Sequence, residues 1–257
     1  MGLTIVHQII LGIIQGITEW LPISSSGMTS LVMANFYGIT DISMLLQQSL
    51  FLHFGTFFAA LLYFRKEIKN LFISNKKTLN FLIISTIITG VLGILLMKFL
   101  IGINLELTGK TISFVIGIFL LITGGMQLVS RKKGLRTENN LKISDSILPG
   151  IAQGFAVLPG ISRSGITTST LLMKKFDDTS ALRLSFLMSL PIVLLGNIFI
   201  NLPDITEVFT PISFIGLLFS FVFGLLTIHL LMKISRKINF AWFVIIFALL
   251  MMISVLI

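Results

Sequence analysis

The sequence has no cysteine and few charged side chains. Only 11% of its 257 residues are Asp, Glu, Lys or Arg, whereas a soluble globular domain carries about 25%. The absence of cysteine excludes a disulfide framework, a thiolate metal site and a cysteine nucleophile. Two tryptophans and two tyrosines are too few to mark an aromatic belt. Hydrophobic residues, in contrast, make up 55% of the chain, and a mean hydropathy of +1.02 predicts a polytopic membrane protein.

The net charge of +9 comes from 19 basic and 10 acidic residues. Such an excess can indicate a nucleic-acid partner, but here the basic residues form short clusters between apolar runs rather than one stripe. Membrane topology explains these clusters better, and we expect no nucleic-acid partner. The beginning, MGLTIVHQII, lacks the basic segment of a cleavable secretory signal, so we expect none.

Two polar segments, PISSSGMTS at 22–30 and PGISRSGITT at 159–168, resemble each other. An offset of 138 positions aligns identical residues, namely Gly12, Gln15, Gly16, Ile23, Ser24, Ser26, Gly27 and Thr29 with Gly150, Gln153, Gly154, Ile161, Ser162, Ser164, Gly165 and Thr167. Repeated identities at one offset indicate an internal duplication.

Each polar segment lies inside a longer stretch, 3–34 or 144–174, in which prolines and polar residues interrupt the apolar pattern. Neither stretch offers the roughly 20 consecutive apolar residues that a crossing needs, so each is predicted to form a re-entrant helix hairpin. Six other segments are long and apolar enough to cross the membrane: 44–64, 80–102, 111–130, 183–201, 210–232 and 239–257. The predicted fold class is an all-α polytopic membrane protein with six transmembrane helices and two re-entrant hairpins in one integral membrane domain.

The hydrophilic linker RKKGLRTENNLK, 131–142, separates a first repeat, 1–135, from a second, 141–257. Each repeat has one hairpin and three crossings, and three is odd, so the second repeat is predicted to be inverted relative to the first. All the basic loop clusters then fall on one face, which the positive-inside rule places in the cytoplasm. Both termini are accordingly expected outside.

The turns of the two hairpins are expected to meet within the membrane and to form an anion site. Irregular backbone at that depth requires an internal pocket, and the helix after each turn directs its N–H groups and positive dipole end towards the turn. Arg163 adds a permanent positive charge with a planar donor fork that suits phosphate. An unpaired charge in hydrocarbon is costly, and Glu19 is the expected partner.

A purely structural alternative is that Arg163 and Glu19 form an ion pair that only fixes the packing of the hairpins. The surplus of hydroxyl groups around them favours a poly-oxyanion ligand instead. For Ser26, Thr29, Thr168 and Ser169, bonds back to the helix or between helices are the favoured interpretation.

The segments QGITEWLPISSSG, 15–27, and PGISRSGIT, 159–167, resemble the two signatures of the undecaprenyl-diphosphatase family, membrane phosphatases associated with bacitracin resistance. The resemblance extends over essentially the whole chain. It implies hydrolysis of undecaprenyl diphosphate to the monophosphate carrier at the outer membrane face, with Mg²⁺ or Ca²⁺ as cofactor. The carrier then returns to the synthesis of a cell-envelope polymer such as peptidoglycan.

The resemblance also implies roles for individual residues. Glu19 matches the acidic residue of the first signature and Gln15 a Glu or Gln position, and this pair is expected to hold the metal. Ser25 matches a serine sometimes proposed as the nucleophile, and Arg163 is expected to bind the diphosphate. The remaining phosphate-binding candidates are Ser24, Ser162, Ser164, Gly165 and Thr167.

One position departs from the family pattern, because Met28 stands where the family has a histidine. A thioether cannot carry protons, and His53 is the best substitute as base or leaving-group acid; a histidine held by a backbone carbonyl between helices is the alternative. The departure keeps two other functions open, a polyprenyl-phosphate flippase and a non-catalytic lipid-phosphate binder. The expected partners are the lipid substrate and the bilayer, and a homodimer stays an open alternative.

Overall fold

The structure is a computed structural model that describes residues 3–102, 109–130, 134–201, 209–234 and 240–254. Within these ranges the regular secondary structure is helical, and the extended pairing is confined to an isolated β-bridge between Arg136 and Phe176. Several of the helices are long and apolar. The predicted class, an all-α polytopic membrane protein, is confirmed.

The first half of the chain begins with a helical hairpin. Its helices are α1 Ile5–Thr18, α2 Ser25–Phe36, α3 Ile42–Tyr63, α4 Arg65–Ile73, α5 Lys76–Gly102 and α6 Gly109–Val129. The pair α1 and α2 occupies the predicted hairpin 3–34. Helix α4 lies in the basic segment 65–79 between the predicted crossings 44–64 and 80–102, which is expected to be a loop. It forms because Ile68 and Leu71 pack against an apolar core cluster while the basic residues beside them stay exposed.

The second half also begins with a helical hairpin, after two short 3₁₀ turns, Glu138–Asn140 and Ile143–Ser146. Its helices are α7 Ile147–Phe155, α8 Arg163–Met173, α9 Asp178–Ile200, α10 Pro211–Ile234 and α11 Phe240–Ser254. The pair α7 and α8 occupies the predicted hairpin 144–174. The basic residues at 131–133 and 235–237 lie outside the described ranges.

Five helices in the described ranges, α3, α5, α6, α9 and α10, have the length and hydropathy to cross a membrane. Helix α11 has 15 residues and falls in the sixth predicted crossing, 239–257, which extends beyond the described part of the chain. The count of six crossings therefore stays a prediction.

The two halves pack against each other through their hairpins. Helix α1 of the first half lies along α10 of the second, and α7 of the second half lies along α5 of the first. Glycines permit the close approach of α1 and α10, because a Cβ on Gly12 would lie 2.3 Å from the carbonyl oxygen of Gly216. A Cβ on Gly16 would lie 2.7 Å from the amide nitrogen of Gly224. Small residues at such contacts are typical of membrane helix packing.

The turn between α1 and α2 lies between two apolar core clusters. One contains Trp20 and Phe186, the other contains Ile23, and Leu21 packs against both. Polar residues of the turn are thus held in fixed positions by their apolar neighbours.

Candidate active site

The first turn is fixed by a serine in an unusual backbone conformation. Ser24 precedes α2 with φ 62° and ψ 89°, in the left-handed region, which costs a non-glycine residue of the order of 1 kcal/mol. Its hydroxyl oxygen accepts hydrogen bonds from the N–H of Gly27 at 3.2 Å and from the N–H of Gly160 at 3.1 Å. The strain is therefore offset by bonds to α2 and to the second turn.

The second turn is bonded to the first at several points. Gly160 has φ 103°, and a Cβ there would lie 2.7 Å from the Cα of Ile116, so the position requires glycine. Ser162 caps α8 by accepting from the N–H of Gly165 at 3.2 Å. The hydroxyl of Ser164 donates to the carbonyl of Leu21 at 3.0 Å. The two polar turns thus meet inside the protein.

Four donors converge on the carboxylate of Glu19 beside this junction. Oε1 is bonded to the guanidinium of Arg163. Oε2 accepts from Gln15 Nε2 at 2.8 Å and from Ser25 Oγ at 2.7 Å, and lies 3.0 Å from His53 Nε2. The Glu19 side chain is 3% exposed. A carboxylate so deeply buried needs such donors to offset its lost hydration.

His53 lies between two hydrogen-bond acceptors. Its Nδ1 lies 2.7 Å from the carbonyl oxygen of Ser49, and its Nε2 lies 3.0 Å from Glu19 Oε2. Both partners can accept, which suits a doubly protonated imidazole. With His53 in that form, His53, Arg163 and the anion Glu19 give the cluster one net positive charge, which favours an anionic ligand.

Arg163 is fixed on two further sides. Its Nη1 donates to the carbonyl of Ser185 at 3.2 Å, and its guanidinium carbon lies 5.7 Å from the ring centroid of Trp20. The Trp20 indole donates to the carbonyl of Gly224 at 2.9 Å. The side chains of Arg163 and His53 are each 13% exposed, more than that of Glu19. The two cations, rather than the carboxylate, form the accessible edge of the cluster.

Several candidate phosphate ligands are engaged with protein groups. The hydroxyl of Ser162 reaches the carbonyl of Leu21 at 3.5 Å, and that of Thr167 lies 2.7 Å from the carbonyl of Arg163 and 2.6 Å from the hydroxyl of Ser185. With Ser24 and Ser164, these hydroxyls join the hairpins or brace α8. Their role as phosphate ligands stays a prediction.

Other motif residues permit close helix packing or bond back to their own helices. A Cβ on Gly165 would lie 2.5 Å from Thr123 Cγ2, so this glycine allows α8 to approach α6. Thr29 bonds back to the carbonyl of Ser25 at 3.1 Å and Ser169 to that of Gly165 at 2.8 Å, as expected for hydroxyl residues in membrane helices.

The sequence interpretation did not single out Ser49 or Ser185, which orient the two cations. Ser49 carries a detectable signal, because it lies one helical turn before His53, where its carbonyl faces the same side of the helix. Ser185 reaches Arg163 from another helix, and such a contact has no local sequence signal.

Gln15 offers an amide oxygen, the kind of ligand atom that Mg²⁺ and Ca²⁺ prefer. Its Oε1 is buried and has no hydrogen-bond partner in the structure, while its Nε2 is bonded to Glu19. The described residues contain no group of three His, Asp or Glu arranged for a metal. Mg²⁺ nevertheless binds through one or two carboxylates, water and substrate phosphates, and a carboxylate beside a free amide oxygen fits that pattern.

Comparisons with known proteins identify the family of the chain. A model of the family described as "Bacitracin resistance protein BacA" matches residues 8–253. An undecaprenyl-diphosphatase of Methanococcoides burtonii is 46% identical over 255 residues and covers 94% of each chain. Similar proteins of that name come from Methanothrix thermoacetophila, 35% identical over 92% of this chain and 91% of its own, and from Syntrophotalea carbinolica, 35% identical over 91% of this chain and 92% of its own.

Proposed function

The chain belongs to the bacitracin resistance protein BacA family, and we propose on that premise that it hydrolyses undecaprenyl diphosphate to undecaprenyl phosphate and inorganic phosphate. The reaction returns the lipid carrier to cell-envelope polymer synthesis. The names of the similar proteins support a hydrolase over a transporter. The observation that carries the proposal is the buried cluster in which Arg163 and His53 flank Glu19 and Ser25.

Arg163 binds the diphosphate in this mechanism. Its planar fork matches two phosphate oxygens, and it lies at the accessible edge of the cluster with the second cation, His53. Phosphoryl transfer proceeds through a loose transition state that needs positioning and charge stabilisation more than covalent help. Two fixed cations in a site of low dielectric supply both.

Proton transfer follows from the bonds around Glu19. Ser25 Oγ donates to Glu19 Oε2, so this carboxylate is placed to accept the proton of the attacking hydroxyl, which belongs to Ser25 or to a water in its place. The new bond forms at the terminal phosphorus, and the bond from that phosphorus to the bridging oxygen breaks. His53 Nε2 lies 3.4 Å from Ser25 Oγ and is placed to donate a proton to the departing oxygen. If Ser25 attacks, water then releases the phosphate from the phosphoserine.

Glu19 and Gln15 are the residues that would hold a divalent cation, Mg²⁺ or Ca²⁺. Glu19 Oε1 accepts from Arg163 alone among the described hydrogen bonds, and Gln15 Oε1 has no partner. A bound cation would neutralise charge on the phosphate oxygens and offset their repulsion by Glu19. Removal of the metal by a chelator should therefore stop phosphate release.

The proposed topology is an inverted repeat of six crossings with the active site and both termini outside. The reciprocal packing of α1 on α10 and of α7 on α5 supports it. Ser25 and Arg163 support it as well, because they are 138 positions apart, the offset of the duplication, and both belong to the Glu19 network. Equivalent positions of the two halves thus meet at one place.

The test is release of inorganic phosphate from undecaprenyl diphosphate by the purified protein in detergent with Mg²⁺ or Ca²⁺. Arg163→Ala should lower kcat at least about 100-fold, the usual cost of losing a charge-stabilising donor. Arg65→Ala, at an exposed arginine of α4, is the matched control and should leave kcat unchanged. A silent wild type whose Met28→His variant gains turnover would contradict the proposal and indicate a lipid-phosphate binder.

A further inference from the structure

The linker between the two halves folds against the beginning of α5 and forms an open cavity of about 520 Å³. Small-molecule sites commonly measure about 300–1,000 Å³. The cavity shares no residue with the cluster around Glu19. It is lined by Lys77, Leu135, Arg136, Asn139, Asn140, Leu141 and Lys142.

Arg136 gives this cavity a fixed wall. Its backbone N–H donates to the carbonyl of Lys175 at 2.9 Å, and its carbonyl accepts from the N–H of Asp177 at 2.9 Å. Its guanidinium bonds to Asp145 Oδ2 at 2.5 Å and lies 4.4 Å from the ring centroid of Phe176. The linker is thus bonded to the α8–α9 connection, and the cavity is preformed.

Every charged residue that lines the cavity is basic. Lys77, Arg136 and Lys142 are cations, and the lining contains no carboxylate. The neighbouring Asp145 is buried and is bonded to Arg136 and to the backbone N–H of Lys142, so it offsets the charge of Arg136. The ammonium groups of Lys77 and Lys142, on exposed residues, remain to attract an anion.

Amide donors and an apolar rim complete the cavity. Asn140 Oδ1 accepts from the backbone N–H of Thr137 at 3.1 Å, which leaves its amide nitrogen as a donor, and Asn139 lies beside it. Leu135, which lines the cavity, is 92% exposed. Cations with amide donors suit phosphate oxygens, and this exposed apolar side chain suits the glycerol and acyl part of a lipid.

We propose that this cavity binds a phosphate-bearing anion, supplied by the headgroup of an anionic phospholipid or by free phosphate. The site is separate from the catalytic cluster and does not depend on the proposed hydrolysis. Its ligand is recognised by Lys77, Lys142 and the linker asparagines, with Arg136 holding the wall in place. Occupation would tie the linker between the halves to the membrane surface.

Titration calorimetry of the full-length protein in detergent tests the proposal with three probes: dihexanoylphosphatidylglycerol, dihexanoylphosphatidylcholine and inorganic phosphate. The double variant Lys77→Gln/Lys142→Gln should weaken binding of the anion about 25-fold, since a lysine near an anionic lipid surface contributes about 1 kcal/mol, or about fivefold. The matched control, Lys66→Gln/Lys69→Gln on α4, removes the same charge from exposed residues outside the cavity and should leave binding unchanged. Phosphate release should be equal in both variants.

The outcomes separate the two sources of the ligand. Binding of phosphatidylglycerol without binding of inorganic phosphate supports a lipid headgroup, and competitive binding of both supports a site for phosphate itself. Equal weakening by the two double variants would mean that only general surface charge is at work and would overturn the proposal. Failure of the wild type to bind either anion would overturn it as well.

Discussion

Single residues decide the chemistry, and Glu19 is the residue on which the others converge. Arg163, Gln15, Ser25 and His53 all place a donor on its two oxygens. The arrangement holds two cations close together, which is unfavourable without the carboxylate between them. A phosphate that enters the site can accept hydrogen bonds from these same donors, because it is an anion like the Glu19 carboxylate.

His53 offers the sharpest test at this scale. His53→Gln keeps a hydrogen-bonding side chain but removes the transferable proton, so kcat for phosphate release should fall about 100- to 10,000-fold. His229→Gln, in α10 near Tyr63 and away from the cluster, is the matched control and should retain activity. Undiminished turnover in His53→Gln would assign the proton transfer to another group. Addition of Met28→His to that variant would then show whether position 28 can carry it.

The residue types of the site are visible in the sequence, whereas their bonds are not. Glu19, Ser25 and Arg163 lie in two polar segments of otherwise apolar stretches, and 42–64 contains no Lys, Arg, Asp, Glu or other histidine besides His53. The sequence does not predict which hydroxyl groups face the ligand. Ser162, Ser164 and Thr167 would give the same sequence pattern whether they bind phosphate or other protein groups. In the structure these three bond to protein groups.

The packing of the helices decides how accurately the site is assembled. The contact between α1 and α10 shows this most directly. Gly16 lies one turn before Glu19 and allows α1 to approach α10 at Gly224. Because α1 ends at Thr18, a displacement of this helix moves Glu19 directly. Accurate helix packing is therefore a requirement of the catalytic geometry.

Gly16→Ala should lower both stability and activity. The added Cβ would lie 2.7 Å from the amide nitrogen of Gly224 and from Phe223 Cβ, and such overpacking costs about 1–3 kcal/mol. Gly90→Ala on α5 is the matched control, because its Cβ would meet nothing within 4 Å. The thermal midpoint in detergent and kcat should both fall for Gly16→Ala only. Equal behaviour of the two variants would show that α1 tolerates displacement.

The linker supplies a pH-dependent prediction. Burial by itself would raise the pKa of the Asp145 carboxyl, but hydrogen bonds from Arg136 and from the N–H of Lys142 outweigh burial and hold this pKa below its ordinary value of 3.8. The carboxylate therefore stabilises the folded protein above that value, and the stabilisation is lost as the pH falls through the folded-state pKa.

Asp145→Asn should accordingly lower the free energy of unfolding at pH 7 by about 1.5–3 kcal/mol, the range for hydrogen bonds to a charged group. Thermal unfolding between pH 7 and pH 2.5 should show the difference from the wild type shrinking as the carboxylate is protonated. Asp178→Asn, at an exposed residue, should change stability by less than about 1 kcal/mol. A difference that does not depend on pH would mean that the ion pair is not its cause.

Most helices can be predicted from the periodicity and length of the apolar runs, and helix α4 is the exception. The hairpins and long helices follow from where apolar runs are interrupted. Helix α4 does not, because nine residues make an isolated helix marginal. Its stability comes from Leu71 and Ile68 packing on distant parts of the chain, which local sequence does not encode.

At the scale of the whole molecule, the proposed catalytic cluster is divided between the two halves. The first half supplies Gln15, Glu19, Ser25 and His53, and the second supplies Arg163. The duplicated segments predict that the two hairpin turns meet. The packing of α1 on α10 could not be predicted from the sequence, because it depends on contacts between residues more than 200 positions apart, such as Trp20 and Gly224.

The absence of native cysteine makes the proposed orientation testable, because an introduced thiol is unique. Asp41→Cys, before α3, should react with a membrane-impermeant maleimide in intact cells, and Lys76→Cys, at the beginning of α5, should react only after the membrane is opened. Both positions are exposed in the structure, so burial does not explain a failure to react. The reverse pattern of labelling would invert the topology, and labelling of both would refute it.

The hydrogen bonds between the two turns also have a consequence for biogenesis. Glu19 is synthesised 144 residues before its partner Arg163, so the first hairpin leaves the ribosome with a carboxylate that still lacks its arginine. Until the second hairpin is made, this carboxylate lacks its arginine, and an unpaired charge in hydrocarbon is costly. We therefore expect the site to close late in synthesis, once both hairpins are present.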